Sequence, residues 1–99
     1  MPTLHLLSHS PFADDRLNSC LRLLGCADGL LLSGDAVYAL SAGSAPHQAL
    51  EQLPEGVELF ALAEDLDARG LAVPARVQRV DYPQFVALTC RFAKVNSWL

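Results

Sequence analysis

Thiol groups are the side chains of this sequence with the clearest capacity for chemistry. There are three cysteines, Cys20, Cys26 and Cys90, in a chain of 99 residues. A cysteine reacts as its thiolate, the form that attacks or accepts sulfur. The number is odd, no Cys-x-x-Cys pair occurs, and the N-terminus lacks a basic stretch followed by an apolar one. We therefore expect reduced thiols in a cytoplasmic protein rather than a disulfide framework.

Cys20 is the candidate for a sulfur-carrying residue. Arg16 lies one helical turn before it, and a nearby cation favours the thiolate. Cys20 also falls on the apolar stripe of the predicted first helix with Leu17, Leu21 and Leu24, where a cysteine serves as a small buried hydrophobe. Its position late in that helix is the wrong end for stabilisation of a thiolate by the helix dipole. The sequence leaves both roles open.

Other catalytic and binding chemistries lack the residue patterns that they require. There is no glycine-rich phosphate loop, no Gly-x-Ser-x-Gly elbow and no pair of short Cys/His spacings, so we expect no cofactor and no metal. His5 and His9 lie along a predicted strand and its exit, about 13 Å apart, which is too far for one shared metal. The acidic pairs at 14–15 and 64–65 stand at predicted helix starts, where carboxylates complement the helix dipole.

The elements that would hold these residues alternate between strands and short helices. Apolar runs predict strands at 3–8, 30–32, 57–62 and 77–80. Cap-then-proline signals and helical spacing predict helices from Ser10 to the glycine at 25, at 47–53, at 64–69 and at 83–92. Residues 36–40 fit a strand or a helical turn, and 95–99 fit an edge strand or a docked tail. This order predicts a single α/β domain, residues 1–99, with three layers around a small, mostly parallel sheet.

Composition indicates a chain that works among partners. The hydrophobic fraction is 52% and the charged fraction 18%, against about 25% charged residues in an average soluble domain. A small domain has proportionally more surface, so we expect other chains to cover part of it; a leucine- and alanine-rich proteome is the alternative. The net charge of −4 argues against direct nucleic-acid binding. No apolar run approaches the ~20 residues of a membrane span.

Five short blocks occur in a characteristic order along the chain. They are LHLLSHSPF at 4–12, RLNSCL at 16–21, LLLSGDAVYA at 30–39, LFALAEDLDARG at 59–70 and VDYPQFVALT at 80–89, followed by a closing Trp98-Leu99. In this order, and in a chain of this length, they resemble the DsrH/TusB family of sulfur-relay subunits. The resemblance covers the chain from end to end and implies a flavodoxin-like, DsrEFH-like fold.

The resemblance also implies a function and a set of partners. Members of this family are the smallest of three homologous subunits in a heterohexamer that relays persulfide sulfur, so TusC/TusD-like or DsrF/DsrE-like partners are expected. In one branch the sulfur goes to 2-thiouridine at the tRNA wobble position; in the other the complex serves sulfur oxidation. The principal sulfur-carrying cysteine belongs to the largest subunit, which implies a structural or regulatory role here. In the sulfur-oxidation branch this subunit carries a cysteine on its first helix, and Cys20 matches that position.

Trp98, Tyr82 and Asp81 are the candidates for partner binding. A tryptophan so near the end of a chain either folds back onto its own domain or is offered to a neighbour, and tryptophan is enriched at interface hot spots. Asp81 also fits a helix cap. A stand-alone flavodoxin-like binding module is a further reading, but it needs a phosphate loop or an acidic pocket, and the sequence contains neither.

Overall fold

A sheet of five strands forms the centre of the computed structural model, which describes residues 2–98. The spatial order is β4-β3-β2-β1-β5, and each neighbouring pair is parallel. The strands are β1 (Thr3–Leu7), β2 (Gly29–Leu32), β3 (Glu58–Leu62), β4 (Val77–Val80) and β5 (Lys94–Trp98). The four strands predicted from apolar runs are confirmed, and the C-terminal segment forms the edge strand that was one of its two predicted states. Leu99 lies outside the described residues.

Helices cover both faces of the sheet and make it the middle of three layers. They are α1 (Arg16–Leu23), a 3-10 helix (Gly34–Leu40), α2 (Ala45–Glu51), α3 (Ala63–Arg69) and α4 (Tyr82–Arg91). Buried side chains of α1, the 3-10 helix, α2 and α3 join one core cluster, whereas Leu88 of α4 and Phe92 belong to a second. We call these two sides the α1 face and the α4 face. The three-layer α/β fold predicted from the sequence is confirmed.

The central strands are buried because helices lie on both of their faces. All four residues of β2 are buried, including the run Leu30, Leu31 and Leu32. A continuous apolar run of this kind is typical of a strand covered on both sides. In β1 the side chains alternate: Leu4 joins the cluster on the α4 face, and Leu7 joins the cluster on the α1 face. His5 shares the α1 face with Leu7, because alternate residues of a strand point the same way.

The predicted start of the first helix is wrong. Ser10 accepts a hydrogen bond at its side-chain oxygen from the Phe12 N–H (3.2 Å) and at its carbonyl from the Ala13 N–H (3.1 Å). These bonds close a local turn, so the Ser-Pro pair does not cap a helix, and α1 begins only at Arg16. The ambiguous segment at 36–40 lies in the 3-10 helix.

The start of α2 also differs from the prediction, and the reason is again a serine. α2 begins at Ala45, two residues before its predicted start. Ser44 accepts a hydrogen bond from the His47 N–H (3.2 Å), and Pro46 occupies the first turn. Serine as a cap followed by an early proline is a helix-start signal that the prediction overlooked at this position.

Candidate functional site

Cys20 is fully buried on α1 and has no solvent-exposed surface. Burial, and secondarily the nearby Asp28 carboxylate, raise the pKa of the Cys20 thiol to about 12. The guanidinium of Arg16, expected to favour the thiolate, pairs instead with the carboxylate of Asp14. At neutral pH Cys20 is therefore a protonated thiol within the core. Its role as a persulfide carrier stays a prediction.

The two other thiols are exposed. Cys26 lies in the loop between α1 and β2, beside a shallow cavity of about 340 Å³ lined by Pro2, Gly25, Ala27 and Asp28. Cys90 lies near the end of α4. The structure does not bring the three sulfur atoms to one place: one is in the core, one is in a loop before β2 and one is on the opposite face of the sheet.

Among residues 2–98 the buried polar side chains are His5 and Asp28, and they contact each other. Asp28 precedes β2, and its carboxylate accepts hydrogen bonds from the backbone N–H groups of Thr3 (2.9 Å) and Gly25 (2.8 Å). His5 Nε2 lies 3.3 Å from Asp28 Oδ2. Burial raises the pKa of Asp28, but the two backbone hydrogen bonds and His5 outweigh it and hold this pKa below its ordinary value. Asp28 is thus a buried carboxylate whose charge is satisfied by donors from β1 and from the loop after α1.

Trp98 extends this arrangement to the edge strand. The indole Nε1–H of Trp98 donates to Nδ1 of His5 at 3.1 Å. An indole N–H can only donate, so Nδ1 must be the unprotonated ring nitrogen of His5. The ring proton of His5 is therefore on Nε2, which faces Asp28. The three side chains therefore form a directed chain of hydrogen bonds, Trp98 to His5 to Asp28, with the imidazole neutral. We call it the Trp98–Asp28 chain.

Trp98 folds back onto its own domain. Its side chain is partly buried and packs against the core cluster on the α1 face, level with Leu7 in the register of β1 and β5. Of the two placements considered from the sequence, the structure shows the first. A contact between Trp98 and a partner stays a prediction, and the side chain would offer a partner only its exposed part.

The other two partner candidates lie elsewhere. Asp81 caps α4: its carboxylate accepts from the Gln84 N–H and the Gln84 side chain accepts from the Asp81 N–H, each at 2.9 Å. Tyr82 is 50% exposed and packs edge-on against Phe85. Both residues belong to the α4 side, whereas Trp98 lies on the α1 face. The structure does not bring the three predicted partner residues into one surface.

Exposed apolar side chains mark a surface on the α4 face. Tyr82 and Val86 are one turn apart on α4 and are 50% and 57% exposed. Val95 on β5 is 42% exposed and pairs in register with Leu4, whose side chain belongs to the core on this same face. We call Tyr82, Val86 and Val95 the α4 surface. Large exposed apolar side chains that share a face are typical of protein contacts.

An apolar groove lies where α1 and α2 approach the turn after β1. Its volume is about 480 Å³, and its lining contains no titratable side chain: Pro11, Phe12, Leu17, Asn18, Ala45, Pro46 and Ala49. Phe12 at its rim is 63% exposed. Without an acid, a base or a nucleophile, this groove offers apolar contact and no chemistry.

Residues 2–98 offer neither a cluster of metal ligands nor a helix fit to span a membrane. No group of three or more His, Cys, Asp and Glu side chains in this part of the chain could hold a metal ion. None of its helices combines the length and the apolar character that crossing a membrane requires.

The sequence interpretation missed the Trp98–Asp28 chain. The sequence suggests only a metal-ligand role for His5, which is rejected, and no role for Asp28. The alternation of β1 was the available signal, because it places His5 on the same side as the buried Leu7. A buried imidazole needs hydrogen-bond partners, but nothing local to His5 indicates that they are Asp28 and Trp98.

Comparison with known proteins decides the family. A family model described as DsrH like protein matches residues 9–95. This chain belongs to the DsrH family. It is 42% identical over 97 residues to Protein TusB of Erwinia tasmaniensis, covering 96% of this chain and 99% of that protein. It is 40% identical over 97 residues to Protein TusB of Klebsiella pneumoniae, with the same coverage.

A solved structure shares the fold of this DsrH-family chain. The ychN protein from E. coli superposes with a TM-score of 0.81, covering 98% of this chain and 99% of that one. The sequences are 22% identical, so this likeness concerns the fold alone.

Proposed function

We propose that this chain is a subunit of a heterohexameric sulfur relay that passes persulfide sulfur toward 2-thiouridine at the tRNA wobble position. The observation that carries the proposal is its 42% identity, over nearly the full length of both chains, to a protein named TusB. Its partners would be two homologous subunits, TusC-like and TusD-like. The placement is cytoplasmic, in keeping with three cysteines that are all free in the structure.

The role of the chain within the relay is structural or regulatory. Sulfur transfer needs a thiolate that a donor can reach. Cys20 is buried, and its pKa is raised to about 12, so the folded domain presents neither the thiolate nor access to it. Cys26 and Cys90 are exposed, but no hydrogen bond within residues 2–98 joins either thiol to a basic side chain. These observations favour an accessory subunit over a sulfur carrier.

The contacts of such a subunit are supported by its surface. The α4 surface offers large apolar side chains on one face, and the charged fraction of the chain is only 18%. The net charge of −4 fits a subunit that leaves tRNA binding to a partner. We propose that the α4 surface contacts a homologous relay subunit.

A DsrH-type subunit of a sulfur-oxidation complex is the second candidate function. It is favoured by one observation, the position of Cys20 on α1, which matches the cysteine expected in that branch. In that case α1 must open or shift to expose the thiol, because the native packing leaves it no exposed surface. A stand-alone binding module is the remaining alternative. In that case the chain would be a monomer that does not bind relay subunits.

Co-expression tests these proposals. The chain is produced with the TusC-like and TusD-like subunits of its own genome, and the mass of the purified complex is measured together with 2-thiouridine in tRNA from cells that lack the native gene. We expect a complex of three kinds of chain and restoration of 2-thiouridine. A monomer that does not co-purify with these subunits would contradict the relay proposal.

Cys20→Ser in the same cells separates the two roles of this residue. We expect normal 2-thiouridine with Cys20→Ser, as with the control Cys90→Ser on α4. A selective loss of sulfur transfer in Cys20→Ser, in a complex that still assembles, would instead support Cys20 as a sulfur carrier.

A further inference from the structure

The edge strand β5 is held by few side-chain contacts. It pairs only with β1, and its first four residues, 94–97, are exposed. Trp98 is the residue of β5 whose side chain packs against the core. The hydrogen bond from the Trp98 indole to His5, 3.1 Å long, ties this strand to a buried group. Beyond the backbone pairing with β1, the hold of the domain on β5 thus rests on one indole and one imidazole.

The donor and acceptor roles in this bond require a neutral histidine. The indole only donates, so His5 Nδ1 must keep its lone pair, and His5 Nε2–H faces Asp28 Oδ2 at 3.3 Å. Adding a proton to Nδ1 would set two N–H donors against each other at the present separation. The proton would break the bond to Trp98, whereas the Asp28 carboxylate would gain an ion pair with the imidazolium. Acid therefore removes the hydrogen bond between His5 and Trp98 and strengthens the contact between His5 and Asp28.

Within residues 2–98, the charged group in contact with His5 is the Asp28 carboxylate. Asp28 approaches from the segment before β2, and β2 itself contributes no charged residue. From α1 the titratable group near Asp28 is Cys20, which is an uncharged thiol at neutral pH. On β5 the charged residue is Lys94, an exposed side chain level with Thr3. Asp28 Oδ2 faces the other ring nitrogen of His5, and the Lys94 ammonium can only donate, so neither takes the place of Nδ1 as the acceptor for the Trp98 indole.

We propose that the Trp98–Asp28 chain is an acid-sensitive latch on the C-terminal strand: protonation of His5 releases Trp98 and loosens β5 from β1. The proposal rests on the geometry of these three side chains and is independent of the relay function. Its consequence is a protein whose C-terminal edge becomes more exposed when His5 takes up a proton.

Trp98 is the single tryptophan of the chain, so its signals report the latch directly. The experiment follows tryptophan emission and the indole N–H NMR resonance of the full chain from pH 8 to pH 5. Hydrogen exchange of the β5 amides at 95–97 is measured at both ends of this range. We expect a red shift of emission, loss of the hydrogen-bonded indole resonance and lower protection factors in β5, while the amides of β2 stay protected.

His5→Gln is the deciding variant. A glutamine side chain can accept from the indole and donate to Asp28, but it cannot take up a proton. We expect this variant to keep Trp98 in place and to show no response to pH. The controls are His9→Gln, an exposed histidine, and His47→Gln, whose native ring pairs with Glu51. Both should respond as the unmodified chain does.

Three results would overturn the latch. They are an unmodified chain whose indole signals stay constant from pH 8 to pH 5, a response that persists in His5→Gln, and a response that is lost in either control variant. If His5→Gln does not fold, the NMR titration of the unmodified chain decides. The His5 ring proton and the indole N–H must then share one midpoint, and different midpoints reject the proposal.

Discussion

Cys20 and Cys26 are separated by only a short stretch of chain, yet solvent reaches only the second. Cys20 lies in the core on α1, whereas Cys26 follows the helix in an exposed loop. Desolvation penalises the charged form of a buried thiol, which is why the pKa of Cys20 rises to about 12. At the scale of single residues, burial decides which cysteine can act as a nucleophile.

Thiol labelling tests this difference. With a thiol reagent at pH 8 we expect Cys26 and Cys90 to react quickly in the folded protein and Cys20 only as fast as the core opens. Cys26→Ser and Cys90→Ser should each remove one fast thiol, and Cys20→Ser should remove none. Equal rates for all three thiols in the native protein would contradict the burial of Cys20.

Asp28 is expected to make the domain sensitive to acid. Burial raises the pKa of Asp28, but hydrogen bonds from Gly25, Thr3 and His5 lower it by a larger amount. The folded-state pKa therefore lies below the ordinary 3.8. A carboxylate with a lowered folded-state pKa adds stability above its ordinary pKa, and that stability is lost as pH falls through the folded-state value.

Asp28→Asn measures this contribution. We expect it to cost about 1–3 kcal/mol in the free energy of unfolding at pH 7, because hydrogen bonds to a charged group are lost. The difference from the unmodified chain should shrink by pH 3. Urea unfolding at both values measures it, with the exposed Asp15→Asn as control. An equal loss of unfolding free energy at both pH values would show that the charge of Asp28 does not stabilise the fold.

At the scale of elements, two aspartates at helix starts behave differently. Asp81 forms a reciprocal capping box with Gln84, whereas Asp15, at the same position before α1, makes no side-chain bond to the helix backbone. The cap-then-proline signal before α4 was predicted and is confirmed. The similar Ser-Pro signal at residues 10–11 failed, because a local turn uses the serine.

Asp81→Ala should therefore destabilise the domain more than Asp15→Ala. We expect a loss of about 1 kcal/mol for the first and less than about 0.5 kcal/mol for the second. Thermal and urea unfolding of the two variants compare them directly. A larger loss for Asp15→Ala would mean that the capping box does not stabilise α4.

The contact between β2 and the end of α4 leaves no room at Gly29. A Cβ there would lie 2.6 Å from the Cζ atom of the Phe92 ring. We expect Gly29→Ala to cost about 1–3 kcal/mol, as overpacking of a core does. Gly25→Ala is the control, since its Cβ would meet nothing closer than 3.5 Å.

The double variant Gly29→Ala with Phe92→Leu identifies the cause. If the clash with the ring is responsible, the double variant should lose less unfolding free energy than the sum of the losses of the two single variants. Full additivity would place the strain of Gly29→Ala elsewhere in β2.

At the scale of the whole molecule, exposed apolar side chains lie on both faces, and this allows a matched test of the interface. Val86 on the α4 surface is 57% exposed, and Leu23 at the end of α1 is 66% exposed. We expect Val86→Glu to lower recovery of the relay complex about tenfold or more, because a charge in the centre of an apolar contact costs more than ~1.4 kcal/mol. Leu23→Glu should leave recovery unchanged.

The measurement is co-purification with the two homologous subunits, with circular dichroism of each isolated variant as the check on folding. Equal recovery for both variants would remove the α4 surface from the proposed contact. Loss with Leu23→Glu alone would move that contact to the α1 face.

The sequence by itself determined the types and order of the elements, because these depend on neighbours along the chain. The leucine run of β2 and the cap of α4 are local signals, and each is found where it is predicted. Five ordered blocks likewise pointed to the DsrH family, and the family match over residues 9–95 confirms it. Local free energies of capping, turn formation and apolar periodicity suffice for these conclusions.

Only the tertiary structure decided which polar side chains meet. Thr3 and Asp28, and likewise His5 and Trp98, lie far apart in the chain and become neighbours through the parallel pairing of β1 with β2 and β5. The inward turn of Trp98 and its separation from Tyr82 by the sheet follow from that same pairing, whereas Cys20 is buried by the packing of α1 on the sheet. Strand order is set by packing of the whole domain, and no local pattern of residues encodes it.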